Sequence, residues 1–239
     1  MKSPQKLLYA AGLGLLLSTA TLWAEPMDVK EIAKKAYDAL DSRQSYTFNA
    51  IIVNHSDDMN NKHQVAVKVN RPGQLRIDVT GDIRNRSNYL NNGQYTVYDY
   101  DKNLYLHLKT PNNIEDALDD LFDRFEIKSP LAQLLYTNMG ERIHFDHSKN
   151  FGIVDLEGVE CHYLASSDKV KEVHVWITTG DTPQIKHYLV KDKTTENNAY
   201  QEGTIYWENT KTISPSDFVF TAPKNAQEVF IKGVENETN

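Results

Sequence analysis

Apolar residues along the chain recur first at helical spacing and then at strand spacing. Between Asp28 and Leu40 they form one helical stripe, and Asp28 with Glu31 makes a capping-box pattern. From Tyr46 onward the period changes to two, with short polar turns between the alternating segments. These segments predict antiparallel strands with one apolar face, because successive side chains of a strand point to opposite faces.

The alternating pattern is interrupted once, in the middle of the chain. From Ile114 to Phe125, apolar residues lie at positions i, i+3, i+4, i+7, i+8 and i+11, which predicts a second helix with an acidic outer face. A short third helix is expected within residues 129–140, with Ser as its cap and Pro in its first turn. Strand patterning then resumes at residue 159 and ends in a last short strand at residues 218–220.

This order of elements predicts an α+β fold. We expect a curved antiparallel half-barrel of about ten strands, with an N-terminal helix in front and a helical lid inserted in the chain. A sheet of that size curls because strand twist accumulates, and its apolar face needs a cover. The inserted helices have an apolar stripe of their own, so we expect that stripe to lie in the hollow of the sheet. The pattern leaves open whether the hollow packs solid or encloses a cavity.

The first 24 residues have the features of a secretory signal peptide. A basic start precedes an apolar run and a small-residue region, and cleavage after Ala20 or Ala24 fits this pattern. The apolar run is shorter than the roughly 20 residues that span a bilayer, and an uncleaved anchor is the alternative interpretation. We therefore expect residues 25–239 to form one domain that is exported to the periplasm.

Composition excludes several classes of function. The chain has 26 Lys and Arg against 33 Asp and Glu, a formal charge of −7, which disfavours nucleic-acid binding because that requires a clustered basic surface. Cys161 is the one cysteine, so neither an intrachain disulfide nor a Cys-rich zinc module can form.

Candidate catalytic and metal-binding motifs are weak. Cys161 and His162 are adjacent on a predicted strand and therefore point to opposite faces, which separates a nucleophile from its base. His144, Asp146 and His147 form a local cluster, but its spacing matches no established metal site, so we expect a solvated loop. Nucleotide-binding and hydrolase motifs do not occur in the sequence. We expect a protein that is not an enzyme and that has no cofactor and no metal.

Two predicted surfaces have open interpretations. Carboxylates on the outer face of the second helix suit a cation or a basic partner, but a solvated helix face is the simpler interpretation. These carboxylates belong to Asp116, Asp119, Asp120 and Asp123. Aromatic residues at strand spacing suggest either a girdle on the convex side of the sheet or ordinary β propensity. These aromatic residues are Tyr98, Tyr105 and Trp176.

One stretch of the sequence resembles a known superfamily. Residues 68–76, with Arg71-Pro72 at their centre, and residues 92–99 are similar to a strand, Arg-Pro, strand, Asp-Gly-Lys, aromatic-strand pattern. That pattern, like the order of the elements, is typical of the LolA/LolB-like periplasmic lipoprotein-carrier superfamily. Residues 78–82 and the helix at residues 114–125 resemble an uncharacterised bacterial periplasmic family within it, a domain of unknown function.

The resemblance implies a hydrophobic cavity for acyl chains between the half-barrel and its lid. It also implies that Arg71 fastens the lid through backbone carbonyls, a role that suits the several donors of a guanidinium. The alternative is that Arg71 merely ends a strand. The side chains expected to line the cavity come from strands and lid and are Leu75, Ile77, Leu104, Leu106, Leu118, Leu121, Phe122, Phe125, Leu131, Leu134 and Leu135.

We therefore expect a monomeric, non-enzymatic periplasmic protein that binds or carries a hydrophobic, acylated lipid or lipoprotein. An envelope sensor or regulatory module that uses the same fold to bind a protein partner is the alternative.

Overall fold

The computed structural model describes residues 28–57, 59–142, 147–195, 199–209 and 212–231. Within these ranges the chain forms three α-helices and twelve β-strands. The helices are α1 Val29–Asp41, α2 Ile114–Phe125 and α3 Met139–Arg142. The strands are β1 Ser45–His55, β2 Asn60–Asn70, β3 Gln74–Gly81, β4 Arg86–Asn91, β5 Gln94–Asp99, β6 Leu104–Lys109, β7 Ser148–Leu156, β8 Val159–Ser167, β9 Lys171–Thr178, β10 Ile185–Asp192, β11 Tyr200–Trp207 and β12 Gln227–Glu228.

All twelve of these strands belong to one curved, open sheet. Their order is β12-β6-β5-β4-β3-β2-β1-β11-β10-β9-β8-β7, so β12 and β7 are the two edges of the described sheet. Neighbouring strands are antiparallel except for β12, which pairs in parallel with β6. The long strand β1 joins the halves, because it pairs with β2 on one side and with β11 on the other. The predicted α+β class and the antiparallel sheet are confirmed.

Besides the two-residue β12, the sequence pattern failed to predict two strands, β4 and β7. In β4, Ser87 and Asn88 are buried beside Tyr89 and Leu90, so the strand shows no alternation of polar and apolar residues. In β7, an edge strand, exposed and half-buried residues alternate, and its register shifts at a bulge. Both strands therefore lack the simple period of two that a sheet with one buried face produces.

Two predicted elements are wrong in detail. The last strand, predicted at residues 218–220, is not a strand, because Pro215–Phe218 forms a 3₁₀ turn. The predicted third helix is divided into a 3₁₀ turn at Ala132–Leu134 and the short α3. Leu131 and Asn138 have left-handed backbone conformations, with φ of 58° and 57°, which a continuous α-helix cannot accommodate.

One face of the sheet, called the inner face, packs against the helices. Alternate residues of the central strands are buried on this face, among them Phe48, Val67 and Leu75. Ile32 of α1 and Leu121 of α2 belong to the same apolar cluster. Complete burial of such a side chain stabilises the fold by about 1.5–3 kcal/mol. The helices therefore supply much of the core of the described protein.

The C-terminal segment crosses the opposite, outer face. Phe218 is completely buried, at 0% exposure. The ring of Phe220 lies 5.6 Å from that of Tyr98 and 5.2 Å from that of Tyr105. An ion pair of 2.6 Å between Lys68 and Asp217 fastens the segment over β2. Two of the three residues proposed for an aromatic girdle therefore pack beneath the chain's own C-terminal segment.

The buried anchor of this segment gives a testable contrast between two adjacent residues. We expect Phe218→Ala to lower the free energy of unfolding by about 3–4 kcal/mol, because it leaves a cavity in a closely packed site. Val219→Ala should change it by less than about 0.5 kcal/mol, because surface substitutions rarely do more and Val219 is 53% exposed. Urea denaturation measures both effects, and equal effects would contradict the packing described here.

Candidate functional site

Most of the residues expected to line a cavity do lie on the inner face or in the segment that covers it. Leu75, Ile77, Leu118, Leu121, Leu131, Leu134 and Leu135 are buried. Leu104, Leu106 and Phe125 are partly exposed. Phe122 is the exception, because it is 46% exposed and lies beneath the ammonium of Lys128.

The position of Phe122 corrects the sequence-based expectation. The buried residues of α2 are Ile114, Ala117, Leu118 and Leu121. Phe122 is about 100° further around the helix axis than Leu121, beyond the stripe that meets the core. The apolar stripe of α2 is therefore wider than the surface that it buries.

Side chains fill the hollow between the helices and the sheet. Leu134 and Leu135 are both 0% exposed. Where α1 and Leu134 face β10, a crevice has a volume of ≈ 10 Å³. That volume holds about one water molecule. Around Leu134 and Leu135 the hollow is therefore packed, and an acyl chain fits at this place only after some of these side chains move.

A polar cluster at the rim of the sheet holds the helical segment, residues 114–142, in place. This rim cluster consists of Tyr46, Arg71 and Glu115. The hydroxyl of Tyr46 donates a hydrogen bond of 2.6 Å to the carbonyl of Leu134, and the Arg71 guanidinium donates one of 3.3 Å to the Tyr46 oxygen. The same guanidinium lies 3.6 Å from the Glu115 carboxylate, which also accepts the backbone N–H of Thr137 at 2.9 Å.

The rim cluster shows how Arg71 contacts the helical segment. The resemblance implied contacts to backbone carbonyls, whereas Arg71 meets the carboxylate of Glu115, and Tyr46 binds the carbonyl of Leu134. Sequence reasoning missed Tyr46 and Glu115, because a Tyr in a strand and an acidic residue in the first turn of a helix are both common for other reasons.

Burial shifts the pKa of two groups at this rim. Burial raises the pKa of the Tyr46 hydroxyl to about 12, although the nearby Arg71 acts in the opposite direction. Burial also raises the pKa of the Asp41 carboxyl, despite its hydrogen bond of 2.8 Å from the backbone N–H of Asn138. One Asp41 oxygen is buried without a hydrogen-bond partner in the described structure.

The inner face is incompletely covered at one corner of the sheet, where β4, β5 and β6 lie side by side. We call this the β4–β6 corner, and it consists of Arg86, Val97, Leu104 and Leu106, all partly exposed. Strand register places Leu106 opposite Val97 on β5. It also places Arg86 opposite Val79, a residue of the apolar core, so Arg86 shares the inner face. The corner combines apolar side chains with one cation.

The outer face has a hollow of its own, far from the helices. It is a groove of ≈ 420 Å³ over β1, β2 and β3. Its lining includes Asn49, Ile51, Gln64, Ala66, Asp78, Thr80 and Tyr206. This mixture of polar and apolar side chains differs from the hydrophobic cavity expected from the sequence. Farther along the same face, the Trp176 ring stacks on Tyr163 at 4.6 Å between ring centroids.

The other candidate motifs show little reactive geometry. Cys161 is opposite Thr178 and His162 is opposite Ile177 in the register of β8 and β9, so the two side chains point to opposite faces. Burial raises the pKa of the Cys161 thiol. His144 and Asp146 lie outside the described residues.

The acidic face of α2 makes contacts within the helical segment. Asp120 pairs with Arg124, and Asp119 accepts a hydrogen bond of 2.6 Å from Tyr136. Among the residues that the structure describes, no group of three His, Cys, Asp or Glu side chains could hold a metal ion. In the same ranges, no helix has both the length and the apolar composition that a membrane span requires.

Comparison with known proteins places the chain in a family. Residues 30–232 match the family model described as "Predicted periplasmic protein (DUF2092)". This match confirms the expected kind of family and the expected periplasmic location. Among curated proteins no match was found.

Comparison with solved structures finds similar chains at low sequence identity. An uncharacterized conserved protein from Thermus thermophilus has a TM-score of 0.51 and 13% identity, over 84% of this chain and 97% of that chain. A LolA superfamily protein from Nitrosomonas europaea has a TM-score of 0.40 and 10% identity, over 82% and 99% of the two chains. MucB in the MucA/MucB complex of Pseudomonas aeruginosa has a TM-score of 0.43 and 11% identity, over 81% and 61%.

The rim cluster predicts a measurable effect of one hydroxyl. We expect Tyr46→Phe to lower the free energy of unfolding at pH 7 by about 1–2 kcal/mol, because the Leu134 carbonyl loses its donor. Tyr206→Phe is the matched control, because Tyr206 lies 39% exposed on the outer face. Urea denaturation of both variants makes the comparison.

The raised pKa of Tyr46 also predicts how this effect depends on pH. The hydroxyl stays neutral in the folded protein, with a pKa of about 12, but ionises near pH 10 when the chain unfolds. Its contribution to stability is therefore present below pH 10 and declines by about 1.4 kcal/mol per pH unit above that value. The stability gap between wild type and Tyr46→Phe should narrow from pH 10 to pH 11, and a constant gap would contradict the assignment.

Proposed function

This chain belongs to the DUF2092 family of predicted periplasmic proteins, and we propose that it is a non-enzymatic protein that binds or carries a hydrophobic, acylated ligand. The observation that carries this proposal is the way in which the helical segment closes the inner face. Apolar side chains do the covering, while the polar contacts to the sheet are few: the rim cluster and hydrogen bonds from Ile114 and Arg124 to backbone carbonyls. In this proposal the helical segment is a lid, and the structure represents its closed form.

Apolar contacts of this kind can be exchanged for contacts with an acyl chain. Burial of each methylene group supplies about 0.8 kcal/mol. A long acyl chain that takes the places of Leu118, Leu121 and Leu134 therefore restores a comparable apolar contact with the sheet. The rim cluster supplies the remaining resistance to opening, and this is the sense in which Arg71 acts as a latch.

The backbone of the helical segment supports its movement as separate pieces. Glu126, Leu131 and Asn138 have positive φ values of 56°, 58° and 57°, and they divide the segment into α2, a 3₁₀ turn and α3. Helices this short are marginal in isolation, so their stability depends on contact with the sheet. A ligand that weakens this contact can rearrange the pieces without breaking a long helix.

A second candidate function is favoured by the packed hollow itself. With Leu134 and Leu135 completely buried, the helical segment also fits the role of a permanent core element. The protein would then be an envelope sensor or regulatory module that binds a protein partner through its surface. Ligand binding on the inner face separates the two candidates.

The rim cluster provides a direct test of lid opening. We expect Glu115→Gln to accelerate uptake of cis-parinaric acid several-fold, since a neutral amide holds the Arg71 guanidinium less strongly than a carboxylate does. Asp123→Asn is the matched control, because it makes the same charge change at an exposed position of the same helix. Stopped-flow fluorescence measures the uptake rate, and equal rates for both variants would refute a latch at this rim.

Native mass spectrometry of protein released gently from the periplasm tests the function more directly. We expect a population with added mass that falls in the range of an acylated molecule and that is lost after denaturation and refolding. A protein that is empty and also fails to take up cis-parinaric acid would reject the carrier proposal in favour of the second candidate.

A further inference from the structure

Arg86 presents a cation to the inner face without a partner in the described chain. Its position opposite Val79 and Asp99 places it in the outermost row of the β4–β6 corner. Its Nε is buried and has no hydrogen-bond partner. The adjacent Asp99 carboxylate instead accepts the backbone N–H of Lys102 at 2.9 Å. Across the described residues, no hydrogen bond or ion pair satisfies the Arg86 guanidinium.

Other arginines of the sheet and lid are paired. Arg76 lies 2.9 Å from Asp78, Arg71 lies 3.6 Å from Glu115, and Arg124 pairs with Asp120. The Asp99 carboxylate opposite Arg86 acts to raise the Arg86 pKa through charge attraction, but it forms neither a hydrogen bond nor an ion pair with the guanidinium. In a chain with 33 acidic residues, this lack of a direct contact does not reflect a shortage of carboxylates.

An unpaired cation in a partly buried site destabilises the protein. Desolvation penalises the charged form, and burial lowers the pKa of Arg86, although the neighbouring Tyr95 and Asp99 act in the opposite direction. An anionic group that entered the corner would replace the water that the guanidinium has lost. A guanidinium binds carboxylates and phosphates through two parallel hydrogen bonds, which adds geometric selectivity.

The surroundings of Arg86 indicate what kind of anion fits. Val97 and Leu106 form the next row of the inner face, about 7 Å farther in, because alternate residues of a strand share a face. Leu104 lies in the same row as Arg86, opposite Asp99. A molecule whose acidic end meets Arg86 therefore lies with its other end over apolar side chains. A free anion would leave these apolar side chains exposed.

We propose that Arg86 binds the acidic head group, a carboxylate or a phosphate, of an amphiphile whose acyl chain lies over Val97 and Leu106. This inference rests on the proposed function, and it narrows the ligand class to anionic amphiphiles. Arg86 sets the direction in which the ligand enters, with its head group at the ends of strands β4, β5 and β6 and its acyl chain toward the hollow.

Two probes with the same acyl chain, one with a charged head group and one with a neutral head group, test this assignment. cis-Parinaric acid carries a carboxylate, whereas its methyl ester has the same chain without the charge, and the fluorescence of both rises in an apolar site. We expect wild type to bind the acid at least about tenfold more tightly than the ester, because a charge-assisted hydrogen bond from Arg86 to a carboxylate is stronger than one to a neutral ester. Arg86→Gln should remove this preference, because it should lower the affinity for the acid and leave the affinity for the ester unchanged.

Two further variants control for general charge and for geometry. Arg84→Gln makes the same change at an exposed position two residues away, and it should alter the affinity for the acid by less than about twofold. Arg86→Lys keeps the charge but loses the planar fork, so its affinity should lie between those of wild type and Arg86→Gln. Arg86→Gln should also unfold at the same or a higher urea concentration than wild type, which excludes misfolding as the cause of lost binding.

The outcomes separate this inference from the proposed function. If wild type binds neither the acid nor the ester, the proposed function fails. If wild type binds both probes and Arg86→Gln binds both unchanged, the proposed function stands and the role of Arg86 is overturned. Inorganic phosphate is expected to compete poorly with cis-parinaric acid, and phosphate that binds as tightly as the acid would identify a site for free anions and overturn the amphiphile assignment.

Discussion

The inner face of an open antiparallel sheet must be covered, and this need organises most of the described structure. In a closed barrel the apolar side chains of one face pack against each other across the interior, but here β7 and β12 remain separate edges. An uncovered inner face would leave a large apolar surface in water, so helices cover the side that the opposite strands would cover in a closed barrel. Lys35 of α1 donates to the Gly180 carbonyl after β9, and Ile114 of α2 donates to the Pro72 carbonyl before β3, so each helix covers a different half.

The same requirement explains the C-terminal segment. On the outer face, Tyr89, Tyr98 and Tyr105 form an aromatic surface on β4, β5 and β6, and Phe220 packs on all three. The chain then adds β12 to the free edge of β6. An unpaired edge strand is a template for association, so this addition also protects one edge of the sheet.

A cover made of short helical pieces differs from a core made of strands in how it can change. The strands are joined to one another by backbone hydrogen bonds along their length, whereas the helical segment is joined to the sheet by apolar contacts, the rim cluster and single hydrogen bonds from Ile114 and Arg124. Apolar contacts are non-directional, so a ligand can substitute for them, but a backbone ladder has no such substitute. The binding function that we propose uses this difference, because a ligand replaces the apolar contacts of the helical segment. The unpaired charge of Arg86 then sets the orientation of that ligand.

The sequence by itself determined the local elements and the apolar faces. The stripe of α1 and the alternation of β2, β3 and β6 are visible in the residue order because each reflects one period and one buried face. It did not reveal β4, in which the buried side chains of Ser87 and Asn88 donate hydrogen bonds to Asp78 and Ile77 of the neighbouring strand β3. The sequence also could not show that Phe122 is exposed, because the width of the stripe that α2 buries depends on where the surface of the sheet ends.

Only the tertiary structure decided which polar residues meet. Tyr46, Arg71 and Glu115 are far apart in the chain, and their contact depends on where β1, the β2–β3 turn and α2 converge. The isolation of Arg86 is likewise a property of three neighbouring strands, since no residue order shows that a charge lacks a partner. Periodicity reports the direction in which a side chain points, whereas pairing, packing of the hollow and unpaired charge depend on distances between segments that fold together.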